Sequence, residues 1–208
     1  MNNRLPRAGN SVDEAEVRTM FDRIAPTYDR LNTLLSFGSD GRWRRAAVRA
    51  AAVGPGDRVI DVACGSGKLA AALAAAVGST GHVIGVDLSP GMIDVARRTE
   101  TALAQLDFVV ANALALPFAD GAFDAATIAF GLRNLADYEA GFRELARVVR
   151  PGGRVVCLEL SLPRPAWWGR LFHAVFRRVS PLLGAAVGQR AAYRYLPASL
   201  EGFPDAGR

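Results

Sequence analysis

The sequence contains few of the residues that metal and redox sites require. Its 208 residues include only two cysteines and two histidines, and the spacing of Cys64 and Cys157 fits no metal-binding motif. We therefore predict no metal site. Both cysteines fall inside apolar strand patterns, and we interpret them as buried, reduced thiols.

Long apolar runs are also missing. No stretch approaches the roughly 18 uncharged apolar residues that a membrane-spanning helix needs, and residues 1–17 lack the apolar segment of a signal peptide. The sequence therefore predicts a cytoplasmic protein. The net charge of +5 is modest, and basic residues do not alternate with aromatic ones as in single-strand binders, so we predict no nucleic-acid partner.

Half of the residues are hydrophobic, which is enough for the core of one domain. We expect a flexible N-terminus over residues 1–12 and a single domain over 13–208. Within it, residues 13–53 read as N-terminal helices or a lid, and residues 164–208 as a helical segment. Apolar strand patterns occur at 58–64, 82–88, 107–111, 123–130 and 154–162. Helical patterns separate them, which predicts a doubly wound α/β fold with a parallel, Rossmann-like sheet.

The segment VIDVACGSGKLA (59–70) is the strongest local signal for a nucleotide site. Gly65 and Gly67 stand where a strand turns into a helix, which permits a tight turn and close approach of a ligand. Asp87 ends the next strand, where its carboxylate can accept hydrogen bonds from ribose hydroxyls. The spacing fits NAD as well as S-adenosylmethionine, and an ordinary strand–helix turn is the simplest alternative.

Two further features favour S-adenosylmethionine over NAD. Asp61 stands at the end of the first strand, where its charge would repel a pyrophosphate and could face the amino-acid end of S-adenosylmethionine. Asn112 and Ala113 follow the third strand, where an amide and a backbone group can contact an adenine edge. Asp61 could instead cap the following loop, and Asn112 could be a turn residue.

Four longer stretches carry a more specific pattern: MFDRIAPTYDRLNTLLSFGSDGRWRR (20–45), ALPFADGAFDAATIAFGLRNLAD (115–137), RVVRPGGRVVCLELSLP (147–163) and YRYLPASLEGFP (193–204). They resemble the demethylmenaquinone and ubiquinone C-methyltransferases. The resemblance implies a class I methyltransferase fold, S-adenosylmethionine as cofactor and a prenylated quinol as acceptor. Members of that family end in a further strand hairpin, which this sequence lacks. We therefore expect five strands in the order 3-2-1-4-5, with an exposed fifth strand through which the protein could associate.

The resemblance and the preceding patterns together predict the site residues. Cofactor-binding residues are Asp61, Gly65, Ser66, Gly67, Asp87, Leu88, Asn112, Ala113 and Ala129. Candidate catalytic residues are Arg133, Asn134, Glu159 and Tyr28. Tyr28 is expected with Asp29 in a loop that closes over the cofactor, or equally in a plain turn. Asn134 could instead cap a helix beside a surface Arg133, and Glu159 could be structural. The alternatives are a methyltransferase for another small apolar acceptor and a truncated, inactive cofactor-binding module.

Residues 165–184 combine an apolar stripe at helical spacing with paired tryptophans and flanking arginines. That pattern is typical of a helix lying in a membrane interface. It also fits a helix packed on the core with a basic outer face, and the sequence does not choose between the two.

Overall fold

The computed structural model describes residues 13–36, 38–160 and Tyr195. Its helices are α1 (Glu14–Ile24), α2 (Tyr28–Leu35), α3 (Asp40–Ala51), α4 (Lys68–Val77), α5 (Pro90–Thr99) and α6 (Tyr138–Val148), with a 3-10 turn at Leu132–Asn134. Its strands are β1 (Arg58–Val62), β2 (His82–Asp87), β3 (Leu106–Val110), β4 (Phe123–Ala129) and β5 (Val149–Leu158).

The strands form one parallel sheet in the order β3-β2-β1-β4-β5, as predicted. Strand β1 lies at the centre, with Val59 opposite Val83 of β2 and opposite Ala125 of β4. The order reverses next to β1, so the loops after β1 and β2 and those after β4 open onto one crevice. Ligands of open α/β sheets bind in that crevice.

Each face of the sheet is covered by its own layer of apolar side chains. Leu73 and Val77 of the alanine-rich helix α4 are completely buried on one face, together with Val59 and Val83. Leu145 of α6 packs with another set of strand residues on the other face. Because both faces are covered, the central strands are apolar along nearly their whole length, and this is why they were recognisable as strands.

Side-chain caps define where several helices begin. The carboxylate of Asp13 accepts hydrogen bonds from the first turn of α1, and Asp137 does the same for α6. Ser89 caps α5, and Pro90 follows as its first residue. These residue types satisfy the N–H groups that a helix start leaves unpaired.

The structure corrects three predictions. Strand β5 begins at Val149 rather than residue 154, because the Pro-Gly-Gly stretch at 151–153 forms an irregularity within the strand pairing rather than a turn before it. Tyr28 is the first residue of helix α2 rather than part of a loop. Cys64 is only partly buried and Cys157 is exposed; Cys157 lies on the last strand of the described sheet, where most residues of β5 are exposed.

Among the described residues, no helix is both long and apolar enough to cross a membrane. Residues 165–184, whose pattern fits a membrane-surface helix or a helix packed on the core, lie outside the described residues. This range includes one of the two histidines, at position 173. The other, His82, begins β2 and pairs with Asp107 at 3.2 Å. It lies at the opposite end of the strand from the crevice.

Candidate functional site

A pocket lies at the carboxyl ends of the central strands, where the fold predicts a ligand. It encloses about 730 Å³, including its open mouth. Eight of the residues predicted from the sequence line it: Tyr28, Gly65, Asp87, Leu88, Asn112, Ala113, Ala129 and Asn134. A second, smaller pocket of about 360 Å³ adjoins it on the other side of Gly65. Asp61 and Ser66 line this smaller pocket.

The glycine loop between β1 and α4 has the backbone that the sequence predicted. Gly65 and Gly67 have φ values of +57° and +85°, which favour glycine. A Cβ atom at Gly67 would lie 2.7 Å from Phe108 Cζ, so only glycine fits under this helix start. Gly67 thus serves the packing of the loop, whereas Gly65 faces the ligand space.

Asp87 connects the ends of β1 and β2. Its Oδ2 accepts a hydrogen bond from the Gly65 N–H at 2.8 Å, and its Oδ1 accepts one from the Ser89 N–H at 2.9 Å. Burial raises the pKa of this carboxyl, although both hydrogen bonds oppose the shift. Each carboxylate oxygen has a further lone pair, so Asp87 can also accept hydrogen bonds from ribose hydroxyls.

Asp61 is a buried carboxyl with one unsatisfied oxygen. Thr127 Oγ1 donates to Asp61 Oδ1 at 2.6 Å, but Asp61 Oδ2 meets no hydrogen-bond donor among the described residues. Burial raises the pKa of Asp61 to about 7, against the opposing effect of the Thr127 hydrogen bond. An unpaired buried carboxylate oxygen favours a cation, and an ammonium group is one that fits.

Helix α2 docks on the glycine loop through polar contacts. Ser66 Oγ donates to Asp29 Oδ1 at 2.6 Å, and Lys68 Nζ lies 3.5 Å from Asp29 Oδ2. Burial raises the pKa of Tyr28, against the opposing influence of the positive charge on Arg133. The phenol therefore keeps its proton at neutral pH and can act as a hydrogen-bond donor.

The residues that follow β4 and β5 form a polar network beside the larger pocket, and Tyr195 joins it. Arg133 and Glu159 form a close ion pair, with 7% of each side chain exposed. The Arg133 N–H also donates to Glu159 Oε2 at 3.3 Å. Asn134 lines the pocket and accepts a hydrogen bond from the Tyr195 hydroxyl at 3.1 Å. Phe130, between this network and β4, has φ +58°, a strained value of the kind found at functional sites.

Sequence reasoning missed two contributors to the site. Glu14 lines the larger pocket and accepts a hydrogen bond from Asn112 Nδ2 at 2.8 Å. Tyr195 belongs to the stretch YRYLPASLEGFP, whose sequence indicates no role for it. Both are distant along the chain from the groups they contact, and no local pattern could have indicated those contacts.

The site fits S-adenosylmethionine better than NAD. Asp87 offers a carboxylate that can bind ribose hydroxyls, and past Gly65 the buried carboxyl of Asp61 has one oxygen without a donor among the described residues. A ligand with a nucleoside at one end and an ammonium group at the other matches both. The pyrophosphate of NAD would bring negative charge to the glycine loop, close to the Asp61 carboxyl.

Comparisons with known proteins agree with this geometry. The sequence model of the ubiE/COQ5 methyltransferase family matches residues 10–208 of this chain. The demethylmenaquinone methyltransferase of Thermus thermophilus is 50% identical over 89% of this chain and 84% of its own length. The Deinococcus radiodurans protein of the same name is 43% identical, over 98% of this chain and 85% of its own. A protein of Geotalea uraniireducens named ubiquinone/menaquinone biosynthesis C-methyltransferase is 42% identical, over 91% and 82%.

Solved structures support the fold. The [4+2]-cyclase SpnF aligns with 95% of this chain and 92% of its own, with a TM-score of 0.67 and 20% identity. A SAM-dependent methyltransferase from Aquifex aeolicus aligns with 59% of this chain and 66% of its own, with a TM-score of 0.54 and 21% identity. At these identities the structures are evidence for the architecture alone.

Proposed function

The chain belongs to the ubiE/COQ5 methyltransferase family, and on that premise we propose that it methylates a ring carbon of a prenylated quinol. Its enzyme class is that of S-adenosylmethionine-dependent methyltransferases. The acceptor is proposed because the relatives are named for demethylmenaquinone and for ubiquinone/menaquinone biosynthesis. Demethylmenaquinol and the corresponding ubiquinol-series precursor are the two candidate acceptors.

The residues of the two adjoining pockets would hold the cofactor. Asp87 and Leu88 would contact the ribose, Asn112 and Ala113 the adenine, and Asp61 the ammonium group of the methionine portion. Gly65, Ser66 and Ala129 would form the walls between these regions. When bound, S-adenosylmethionine supplies an electrophilic methyl group on its sulfonium. Much of the acceleration then comes from the orientation of the two reactants, which contributes up to roughly 7–11 kcal/mol in favourable cases.

The observation that carries the proposed chemistry is the polar network after β4. A quinol carbon becomes nucleophilic when the adjacent hydroxyl loses its proton, so the site must accept a proton and stabilise a phenolate. Arg133 is a cation held in place by Glu159. We assign to Arg133 the stabilisation of the developing oxyanion, and to Asn134 the orientation of the acceptor and of a water molecule that takes up the proton of the quinol hydroxyl. Tyr28, which keeps its proton, would donate a second hydrogen bond to the oxyanion.

The decisive experiment supplies the protein with methyl-labelled S-adenosylmethionine and reduced demethylmenaquinone. We expect label on a ring carbon of the product. Label on oxygen would support a different methyltransferase reaction, and absence of label despite cofactor binding would support an inactive cofactor-binding module.

Variants of the network test the assigned roles. Loss of Arg133 alone would leave Glu159 buried without its partner, at a cost of about 3–5 kcal/mol, so Arg133→Gln is combined with Glu159→Gln. The double variant should bind the cofactor as the wild type does, while its kcat falls about a hundredfold or more. Arg143→Gln is the matched control, because Arg143 is an exposed arginine on α6. Unchanged turnover in the double variant would exclude the proposed role.

We also propose that residues 165–184 contact the membrane in which a polyprenyl acceptor resides. Flotation with anionic vesicles tests this contact, since the double variant Trp167→Ala, Trp168→Ala should bind the vesicles more weakly.

We further propose that two chains associate through β5, the end strand of the described sheet. Sedimentation of the protein at increasing concentration tests this association.

A further inference from the structure

Helix α1 forms one wall of the larger pocket, although it lies before the whole sheet in sequence. Glu14, Val17 and Phe21 of this helix face the pocket. The far end of the helix is fastened by Asp22, whose Oδ1 accepts hydrogen bonds from Ser89 Oγ at 2.6 Å and from the Gly91 N–H at 2.8 Å. These bonds hold α1 against α5 independently of the hydrogen bond between Glu14 and Asn112.

The contact between Glu14 and Asn112 sets the orientation of the Asn112 amide. Asn112 Nδ2 donates to Glu14 Oε2 at 2.8 Å, and Asn112 Oδ1 accepts from the Leu114 N–H at 2.9 Å. The amide nitrogen therefore points toward α1, and the amide oxygen points into its own turn. Asn112 Oδ1 is already used within its own turn. Along this wall of the pocket, the side-chain group that can accept a hydrogen bond from a ligand is therefore the Glu14 carboxylate.

An adenine edge offers a complementary pattern to this wall. Its 6-amino group donates hydrogen bonds, and its N1 accepts one. The Glu14 carboxylate is an acceptor, and Ala113, which lines the same pocket, has a backbone N–H, the kind of group that can donate to N1. A purine with a 6-oxo group would instead bring an oxygen against the carboxylate.

We propose that Glu14 determines the specificity of the cofactor site, by accepting a hydrogen bond from the adenine 6-amino group while it holds the Asn112 amide. The inference rests on the placement of the cofactor adenosine in this pocket, as proposed above. It gives the N-terminal helix a direct part in recognising the cofactor, in addition to covering it.

The experiment compares two ligands across four proteins by calorimetry. The ligands are S-adenosylhomocysteine and its analogue with hydrogen in place of the 6-amino group, which keeps N1 as an acceptor. The proteins are the wild type, Glu14→Ala, Glu14→Gln and Glu16→Ala. Glu16 is the matched control, because it is also an acidic residue in the first turn of α1, where a negative charge stabilises the helix start.

The wild type and Glu16→Ala should both bind the adenine ligand about tenfold more tightly than the analogue, since hydrogen bonds to charged groups are of that strength. In Glu14→Ala the preference should fall close to one, with binding of the analogue itself little changed. Glu14→Gln retains an acceptor oxygen and should show an intermediate preference.

Three outcomes would overturn the inference. An undiminished preference in Glu14→Ala would exclude Glu14 while leaving the cofactor site intact. Tighter binding of S-adenosylhomocysteine by Glu14→Ala would mean that the carboxylate competes with adenine. If the wild type bound neither ligand, the placement of adenosine in this pocket would fail as well.

Discussion

The buried carboxyl of Asp61 should make the stability of the ligand-free protein depend on pH in an unusual direction. Only 1% of the residue is exposed, and burial raises its pKa from 3.8 to about 7. Between these two values the folded chain holds a proton at Asp61 that the unfolded chain has lost. Folding is therefore assisted at low pH and opposed as the pH rises toward 7.

The size of the effect follows from that difference in pKa. The free energy of unfolding should fall by about 1.4 kcal/mol per pH unit between pH 4 and 7 and then level off. Over the whole interval between the unfolded-state pKa of 3.8 and the folded-state pKa of about 7, the loss in the free energy of unfolding amounts to about 4 kcal/mol. Asp61→Asn removes the titration but keeps the side-chain size and one oxygen for the Thr127 hydrogen bond, so it is the reference protein.

Urea unfolding followed by circular dichroism from pH 5 to pH 8 measures this dependence. The free energy of unfolding of the wild type, minus that of Asp61→Asn, should fall by more than 2 kcal/mol from pH 5 to pH 8. Thr127→Val removes a hydrogen bond that lowers the Asp61 pKa, so its curve should level off at higher pH. Parallel curves for the wild type and Asp61→Asn would refute the reasoning, because they would show that Asp61 does not titrate differently in the two states.

Two further predictions concern the glycine loop and Asp87. Gly67→Ala should destabilise the fold by about 1–3 kcal/mol, because its Cβ would lie 2.7 Å from Phe108. Gly121 also has a positive φ, but a Cβ there would make only ordinary contacts, so Gly121→Ala should lower the stability less. Equal shifts of the melting temperature in the two variants would contradict the packing argument. Asp87→Ala should weaken binding of S-adenosylhomocysteine about tenfold or more, since it removes a carboxylate that can accept ribose hydrogen bonds. Titration calorimetry that found unchanged affinity would remove Asp87 from the site.

Most residues that we propose for the cofactor could be selected from the sequence because the signals for them are local. Gly65 and Asp87 each stand at the end of an apolar strand, and parallel strands bring their carboxyl ends to one edge. The structure brings these residues to one pocket, together with Asn112 and Ala129. Asp61 was identified for its charge, but its missing hydrogen-bond partner is visible only in the folded chain.

The N-terminal helices show where the sequence was insufficient. A loop was expected at Tyr28, yet helix α2 begins there and Asp29 contacts the glycine loop. The contact between Glu14 and Asn112 spans 98 positions. No periodicity or cap residue encodes such a contact, because it depends on how α1 packs against the finished sheet.

What the sequence by itself determined is the alternation of strands and helices, the five-strand order suggested by the family resemblance, and the position of the glycine loop. Hydrophobic periodicity and cap chemistry act over a few residues, so they can be read directly from the chain. Only the tertiary structure decided which buried oxygen of the described residues lacks a hydrogen-bond partner and which distant groups meet. The raised pKa of Asp61, the pairing of Arg133 with Glu159 and the part of Glu14 in the pocket all depend on desolvation and contact between remote segments, which exist only once the chain has folded.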